Sequence, residues 1–248
     1  MVPIKNSEEL EIMRQAGRLL AQVLHEVAKS VAPGKTTGEI DGLAERLIRD
    51  AQAIPAFKGY RGYPGTLCTS VNNEVIHGIP GGRRLEEGDI ISLDCGLIFR
   101  KYYSDMAVTV PVGRISADAQ KLIRVTRDSL TEGIKKARPG NRLSDISHAV
   151  QEHVEKNGFS VVRQFVGHGI GSSLHEEPEV PNFGRPGRGV ELKPGMVLAV
   201  EPMVNMGTWE CLIMDDGWTA VTKDGKLSAH FEHTIAITDG EAQILTKE

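Results

Sequence analysis

Asp94, Asp105, His168, Glu201 and Glu232 are four carboxylates and one imidazole whose sequence settings suit metal-assisted hydrolysis. Ile90–Phe99 and residues 102–112 are β-rich runs separated only by Arg100-Lys101, which predicts an antiparallel hairpin. Pairing about a centre between Phe99 and Arg100 sets Asp94 opposite Asp105. The apolar neighbours Ile91, Leu93, Met106 and Val108 predict partial burial, where repulsion between two carboxylates grows. An Arg or Lys partner, a shared proton or a bridging metal ion would each relieve that repulsion.

The second half of the chain favours the metal. Gly167-His168-Gly169-Ile170-Gly171 places a histidine among glycines, where neighbouring backbone can come close. Glu201 stands at a strand end before Pro202, and Glu232 lies inside the β-branched and aromatic run Phe231-Glu232-His233-Thr234-Ile235. Four gathered carboxylates need cations: one divalent ion leaves about two charges uncompensated, and two ions balance the set. Oxygen donors with one nitrogen and no thiolate suit Mn(II), Fe(II) or Co(II) better than a structural zinc site. Two ions on the order of 3 to 4 Å apart would bridge a water, lower its pKa and polarise a carbonyl, which is hydrolytic chemistry.

These residues need elements to hold them. Asn6 with Glu9 forms a capping pair, and Ile12, Ala16, Leu19, Leu20, Val23 and Val27 then recur at helical spacing until Pro33-Gly34. Thr36 with Glu39 opens a second helix carrying Ile40, Leu43, Leu47 and Ile48 on one face. Residues 53–65 read as a loop, and Leu67–Val71 joins the hairpin runs as a strand. Helical patterns return over about 116–137 and 143–156, and residues 160–245 read as strands and turns.

The order helix, helix, strands thus occurs twice. Pro33-Gly34-x-x-x-Gly38-Glu39-Ile40 aligns with Pro139-Gly140-x-x-x-Ser144-Asp145-Ile146. At almost the same offset Leu85-x-x-Gly88-x-Ile90-Ile91-x-Leu93-Asp94 aligns with Leu192-x-x-Gly195-x-Val197-Leu198-x-Val200-Glu201. A near-constant offset predicts two related halves, approximately 10–112 and 116–245, within one domain over 1–248. Asp94 and Glu201, each at the end of its strand before a break, would meet near a pseudo-twofold axis.

Composition sets the outer limits. The 248 residues are 40% hydrophobic and 25% charged, a globular balance that excludes a mainly disordered chain. A net charge of −4 gives no basic excess for nucleic acid. Cys68, Cys95 and Cys211 lack Cys-x-x-Cys spacing, which argues against a disulfide framework and fits the reducing cytosol. No apolar run is long enough to span a membrane, and the N-terminus lacks the apolar core of a signal peptide, so a soluble, cytoplasmic protein is expected.

Asn73-Glu74-Val75-Ile76-His77-Gly78-Ile79-Pro80, Gly167-His168-Gly169-Ile170-Gly171, Leu174-His175-Glu176-Glu177-Pro178, Glu201-Pro202-Met203 and Phe231-Glu232-His233-Thr234 resemble, in order, the motifs of bacterial, type I methionine aminopeptidases. The resemblance covers the chain from about Ile4 to Leu245. It implies the α+β pita-bread fold, in which two pseudo-twofold-related α/β halves enclose a dinuclear metal centre against a curved antiparallel sheet. It places the metal ligands on Asp94, Asp105, His168, Glu201 and Glu232, with Asp105 and Glu232 bridging. It gives His77 and His175 contact with the scissile peptide, and makes Glu201 the proton shuttle. The methionine pocket falls on Tyr60, Tyr63, Cys68, Leu174 and Trp218, apolar and sulfur-tolerant walls for a thioether; Cys68 reads equally as a small buried apolar residue.

The implied reaction removes an initiator methionine from nascent polypeptides whose second residue is small, with two divalent ions drawn from Mn, Fe, Co or Zn. It implies a monomer and leaves transient ribosome contact open. Phe57 stands where the family commonly has cysteine and Leu174 where it commonly has an aromatic, which predicts an altered pocket shape with activity kept. The absence of a Cys-rich zinc module before Asn6 fits a bare catalytic domain, and the short span from His168 to Glu201 leaves no room for the type II insertion. Two alternatives share the fold: an X-Pro aminopeptidase or prolidase, usually with an added N-terminal domain, and a non-catalytic binding protein, which five intact ligands argue against.

Overall fold

Helix α1 (Ser7–Lys29) starts where Asn6 and Glu9 close a reciprocal capping box, and α2 (Thr37–Asp50) starts on the same device built from Thr36 and Glu39. In this computed structural model, which describes residues 2–247, α3 (Ala117–Ile134) begins on a Ser116 cap, and α4 (Leu143–Lys156) follows the Pro139-Gly140 turn. All four predicted helices are present, within a few residues of their expected ends.

The first group of strands is β1 (Ile54–Pro55), β2 (Leu67–Val71), β3 (Glu74–Ile76), β4 (Ile90–Phe99) and β5 (Tyr102–Pro111). After α4 come β6 (Ser160–Val161), β7 (Gly167–Gly169), β8 (Glu176–Val180), β9 (Val197–Val200), β10 (Met203–Asn205), β11 (Cys211–Ile213), β12 (Ala220–Thr222), β13 (Ser228–His230), β14 (Glu232–Ala236) and β15 (Gln243–Ile244). A large antiparallel sheet runs β1-β4-β5-β14-β9-β7-β8, with β2 also on β4 and β15 on β14. Two small sheets, β13-β10-β6 and β11-β12-β3, flank it. The expected loop over 53–65 holds β1 and a 3₁₀ turn at Tyr60–Gly62, and β3 is a strand that the short Glu-Val-Ile run hid.

The helices cover one face of the large sheet, and period-two alternation decides what faces the other side. On β4, Ile91, Leu93, Cys95 and Leu97 pack with Leu20, Leu24 and Val27 of α1 and Ile40 and Ile48 of α2. Leu198, Val200 and Ile235 pack likewise with Leu130 and Ile134 of α3. These side chains are at most 2% exposed except Ile134, and truncating one such Leu to Ala costs about 2–5 kcal/mol. Asp94 on β4, Asp105 on β5 and Glu232 on β14 occupy the intervening positions, so burying the apolar set turns the acids to the opposite, concave face.

The hairpin register differs from expectation by two residues. Phe99 pairs with Tyr102, so Asp94 faces Ala107 and Asp105 faces Gly96. Arg100 and Lys101 both adopt positive φ (48° and 75°), a tight two-residue turn that neither residue type announces. A two-residue slip keeps each side chain on its face, so the two acids are diagonal neighbours rather than direct partners. Asp94 is also not at a strand end: β4 continues through it to Phe99. Cys68, Cys95 and Cys211 are free and buried.

Candidate metal centre

Four strands bring the acids into one row. Asp94 pairs with Ala107, Ala107 with Glu232, and His233 with Val200, the residue before Glu201. The small Ala107 side chain between Asp94 and Glu232 leaves room on that face. His168 reaches it from β7, where it pairs with Ala199. Its flanking glycines are sterically required: a Cβ on Gly167 would lie 2.3 Å from the Ala199 carbonyl oxygen, and one on Gly169 would lie 2.2 Å from that of Glu177.

The resulting cluster is buried and rich in acceptors. His168 Nε2 lies 3.5 Å from Glu201 Oε1 and 3.9 Å from Asp105 Oδ2. Donor atoms of Asp105, His168 and Glu232 fall within 4.8 Å of one another, and so do those of Glu201, His230 and Glu232, so Glu232 belongs to both groups. His168 Nδ1 lies 2.9 Å from the Gly169 carbonyl oxygen. Donation to that carbonyl fixes the tautomer and leaves Nε2 as a free lone pair aimed at the acids. Burial holds the His168 pKa down at about 4, so the ring is neutral near pH 7.

Among the described residues no Lys or Arg pairs with any of the four carboxylates. Burial pushes Asp94 up to about 6, and it pushes Asp105, Glu201 and Glu232 well above the usual carboxylate range. Asp94 Oδ1 and Glu232 Oε1 are buried without a hydrogen-bond partner. Of the three ways to relieve such repulsion, a basic side chain is therefore ruled out. The orphaned oxygens, the neutral imidazole and the oxygen-rich donor set fit divalent cations.

The acids form the floor of a cavity of about 210 Å³. Its walls carry every predicted pocket residue, namely Tyr60, Tyr63, Cys68, Leu174 and Trp218, together with His77 and His175. Tyr63 meets Trp218 edge-on at 5.1 Å and donates from its hydroxyl to the Leu67 and Gly78 carbonyls. Cys68 faces Asp94 across β2 and β4, and burial pushes its thiol well up, so it presents a neutral S–H. His77 sits after β3 at φ 60°, a left-handed conformation that places its ring edge-on to Phe165 and Trp218. Tyr60 Oη and His175 Nδ1 are 2.9 Å apart, and the His175 ring stands 4.3 Å from that of His168.

Phe57 lines the cavity as its position suggests, and Arg61 joins the wall with its guanidinium over the Tyr60 ring. Neither Arg61 nor His230 follows from motif spacing. His230 carried one signal, since it precedes Glu232 by two residues in an extended run and so shares its face.

The sequence profile described as metallopeptidase family M24 matches residues 11–239. The chain is 56% identical to a methionine aminopeptidase of Clostridium perfringens over 246 residues, which cover 99% of each chain. It is 54% identical to methionine aminopeptidase 1 of Bacillus subtilis over the full length of both. The crystal structure of a Thermotoga maritima methionine aminopeptidase superposes with a TM-score of 0.98 at 49% identity, covering 100% of both chains. A Pyrococcus horikoshii prolidase shares the fold at TM-score 0.81 and 22% identity, over 98% of this chain and 63% of its own.

Proposed function

The chain belongs to metallopeptidase family M24, among its methionine aminopeptidases, and from that premise we propose how its residues remove an N-terminal methionine from a polypeptide whose second residue is small. The carrying observation is the coincidence of four clustered carboxylates without a basic partner and an apolar cavity, lined in part by a cysteine, that opens onto them.

Asp94, Asp105, His168, Glu201 and Glu232 would hold two divalent ions from Mn, Fe, Co or Zn. When bound, such ions acidify a water molecule and polarise the scissile carbonyl. Tyr63, Cys68, Leu174 and Trp218 receive the methionine side chain; the thioether packs against ring edges and a neutral thiol, with no charge to desolvate. Arg61 and Tyr60 close the wall toward solvent. His175 is oriented by Tyr60: a hydroxyl donating to Nδ1 leaves Nε2–H to donate to the carbonyl oxygen as negative charge develops. His77, which also lines the cavity, holds the scissile peptide. Glu201 would act in its ionised form, taking a proton from the attacking water and returning it to the leaving amine; the burial that raises its pKa makes the proton easy to hold between the two transfers.

The substrates in this reading are nascent polypeptide N-termini, met by a monomeric cytoplasmic enzyme. No helix among the described residues is long and apolar enough to cross a membrane. The halves 10–112 and 116–245 act as one catalytic domain, because each contributes ligands to the same cluster.

The test is amino acid release from Met-Ala-Ser, Leu-Ala-Ser and Met-Pro-Ser by metal-stripped protein, with and without added Mn(II), Fe(II) or Co(II). Metal-dependent release confined to the methionine peptides, strongest for Met-Ala-Ser, is expected. Equal release of leucine overturns the pocket assignment, and no release with any metal overturns the catalytic reading in favour of a binding role.

A further inference from the structure

His230, at the end of β13, is 1% exposed, and neither of its ring nitrogens has a hydrogen-bond partner. A core histidine ordinarily satisfies at least one nitrogen, and a side chain retained only for packing would lose nothing by being apolar. The ring is not loosely placed. His230 N–H donates to Thr109 Oγ1 at 2.9 Å, and the same hydroxyl donates to the His230 carbonyl at 2.8 Å. Phe231 N–H, the next donor along, reaches the Pro202 carbonyl at 3.3 Å and ties this strand to the segment that bears Glu201.

One of the orphaned nitrogens faces the acids. Nε2 is 3.7 Å from Glu201 Oε2, too far for a hydrogen bond and close enough for one cation to touch both. A ring nitrogen of His230 and oxygens of Glu201 and Glu232 lie within 4.8 Å of one another. With no hydrogen-bond partner on either ring nitrogen, this imidazole has a lone pair free to give. We propose that His230 is a metal ligand in its own right, joining Glu201 and Glu232 on one ion and giving the centre a second imidazole beside His168. The proposal rests on the metal-centre reading above. It adds a nitrogen donor without adding charge, which tilts the site toward Co(II), Fe(II) and Zn(II) relative to Mn(II).

Proton NMR of the Co(II)-loaded protein tests it, because each coordinated imidazole gives its own hyperfine-shifted, exchangeable N–H signal. Two such signals are expected in the unaltered protein, one of which disappears in His230→Gln. In parallel, Co(II) titration of the variant should show one of two sites weakened by about 10–100-fold or more, the range that even outer-shell partners of a metal carry. The ratio of Co(II) to Mn(II) affinity at that site should fall with it. A single signal in the unaltered protein, with His230→Gln binding Co(II) unchanged, overturns the role of His230 and leaves the metal centre standing. Failure of the unaltered protein to bind Co(II) overturns the metal-centre reading itself. The signal count needs no variant, so it decides the matter even where His230→Gln folds poorly.

Discussion

The Tyr60 hydroxyl and His175 Nδ1 lie 2.9 Å apart across 115 residues of sequence, joining the two walls of the cavity above the acid cluster. With Nδ1 accepting, the opposite nitrogen is the one that carries hydrogen. The contact therefore sets which face of His175 donates to substrate.

Tyr60→Phe keeps the ring that walls the pocket and removes only the hydroxyl. The expected result on Met-Ala-Ser is a fall in kcat of about tenfold, part of the 10²–10⁴ that a positioned acid contributes, with KM held within about twofold. Steady-state kinetics separate the outcomes: a raised KM at unchanged kcat would make Tyr60 a wall and nothing more.

Asp94→Ala removes an acid that has no basic partner and whose Oδ1 is otherwise orphaned. The variant should bind one equivalent of Co(II) fewer than the unaltered protein, and kcat/KM should drop by more than about 10³-fold, as expected when two ions act as a unit. Equilibrium dialysis read alongside peptide hydrolysis checks both, and full activity with both ions retained would remove Asp94 from the ligand set.

Metal removal should change how stability depends on pH. The folded-state values of Asp94, Asp105, Glu201 and Glu232 are raised, Asp94 to about 6, chiefly by burial. The metal-free fold thus binds more protons than the unfolded chain above the ordinary carboxylate range near 4, and its stability falls as pH rises from there through the raised values. Bound cations favour the ionised forms and cancel this slope. Chelator-treated protein should have a lower Tm at about pH 8 than at about pH 6, and added Co(II) should raise Tm more at the higher pH. Equal metal-induced shifts at both would show that the carboxylates are ionised without metal.

His77 acts in the opposite sense. Burial lowers its pKa from 6.5 to about 4, so protonation belongs to the unfolded chain between those values. Stability contributed by the neutral ring is present above 6.5 and lost as pH falls toward 4; allowing for its partial exposure, the loss is about 1–2 kcal/mol at pH ~5. His77→Asn tolerates the left-handed backbone and carries no titrating group. The urea midpoint at pH ~5, taken relative to that at pH ~7, should therefore be higher in the variant than in the unaltered protein.

Much of this architecture is legible in the chain because it is local. Asn6 with Glu9 and Thr36 with Glu39 cap the helices that their spacing announces, and alternation on β4 tells which residues face α1. The glycines around His168 mark the strand contact that they permit. What the sequence hides depends on tertiary placement or on backbone conformations that its residue types do not favour. Arg100 and Lys101 adopt positive φ where Asn-Gly would have advertised it, and the pairing of Asp94 shifts by two as a result. The Tyr60 to His175 contact joins distant loops, and His230 gains its meaning only when Glu201 arrives from another strand.

Gly96 and Phe57 form a further coupled pair, and here steric arithmetic predicts a sign. Gly96 faces Asp105 on the hairpin, and a Cβ built on it would lie 2.6 Å from Phe57 Cε1 and 3.1 Å from Ala56 Cβ. Phe57 is 8% exposed and walls the cavity, so Gly96→Ala must push its ring toward the substrate. Overpacking of this kind costs about 1–3 kcal/mol, while Phe57→Ala alone costs about 3–5 kcal/mol by leaving a void. In the double variant the added methyl enters space that the ring has vacated, so its loss of stability should be smaller than the sum of the single losses by about 1 kcal/mol or more. Denaturant unfolding of the four proteins measures that coupling directly, and strictly additive losses would mean that Phe57 does not set the requirement for glycine at this position.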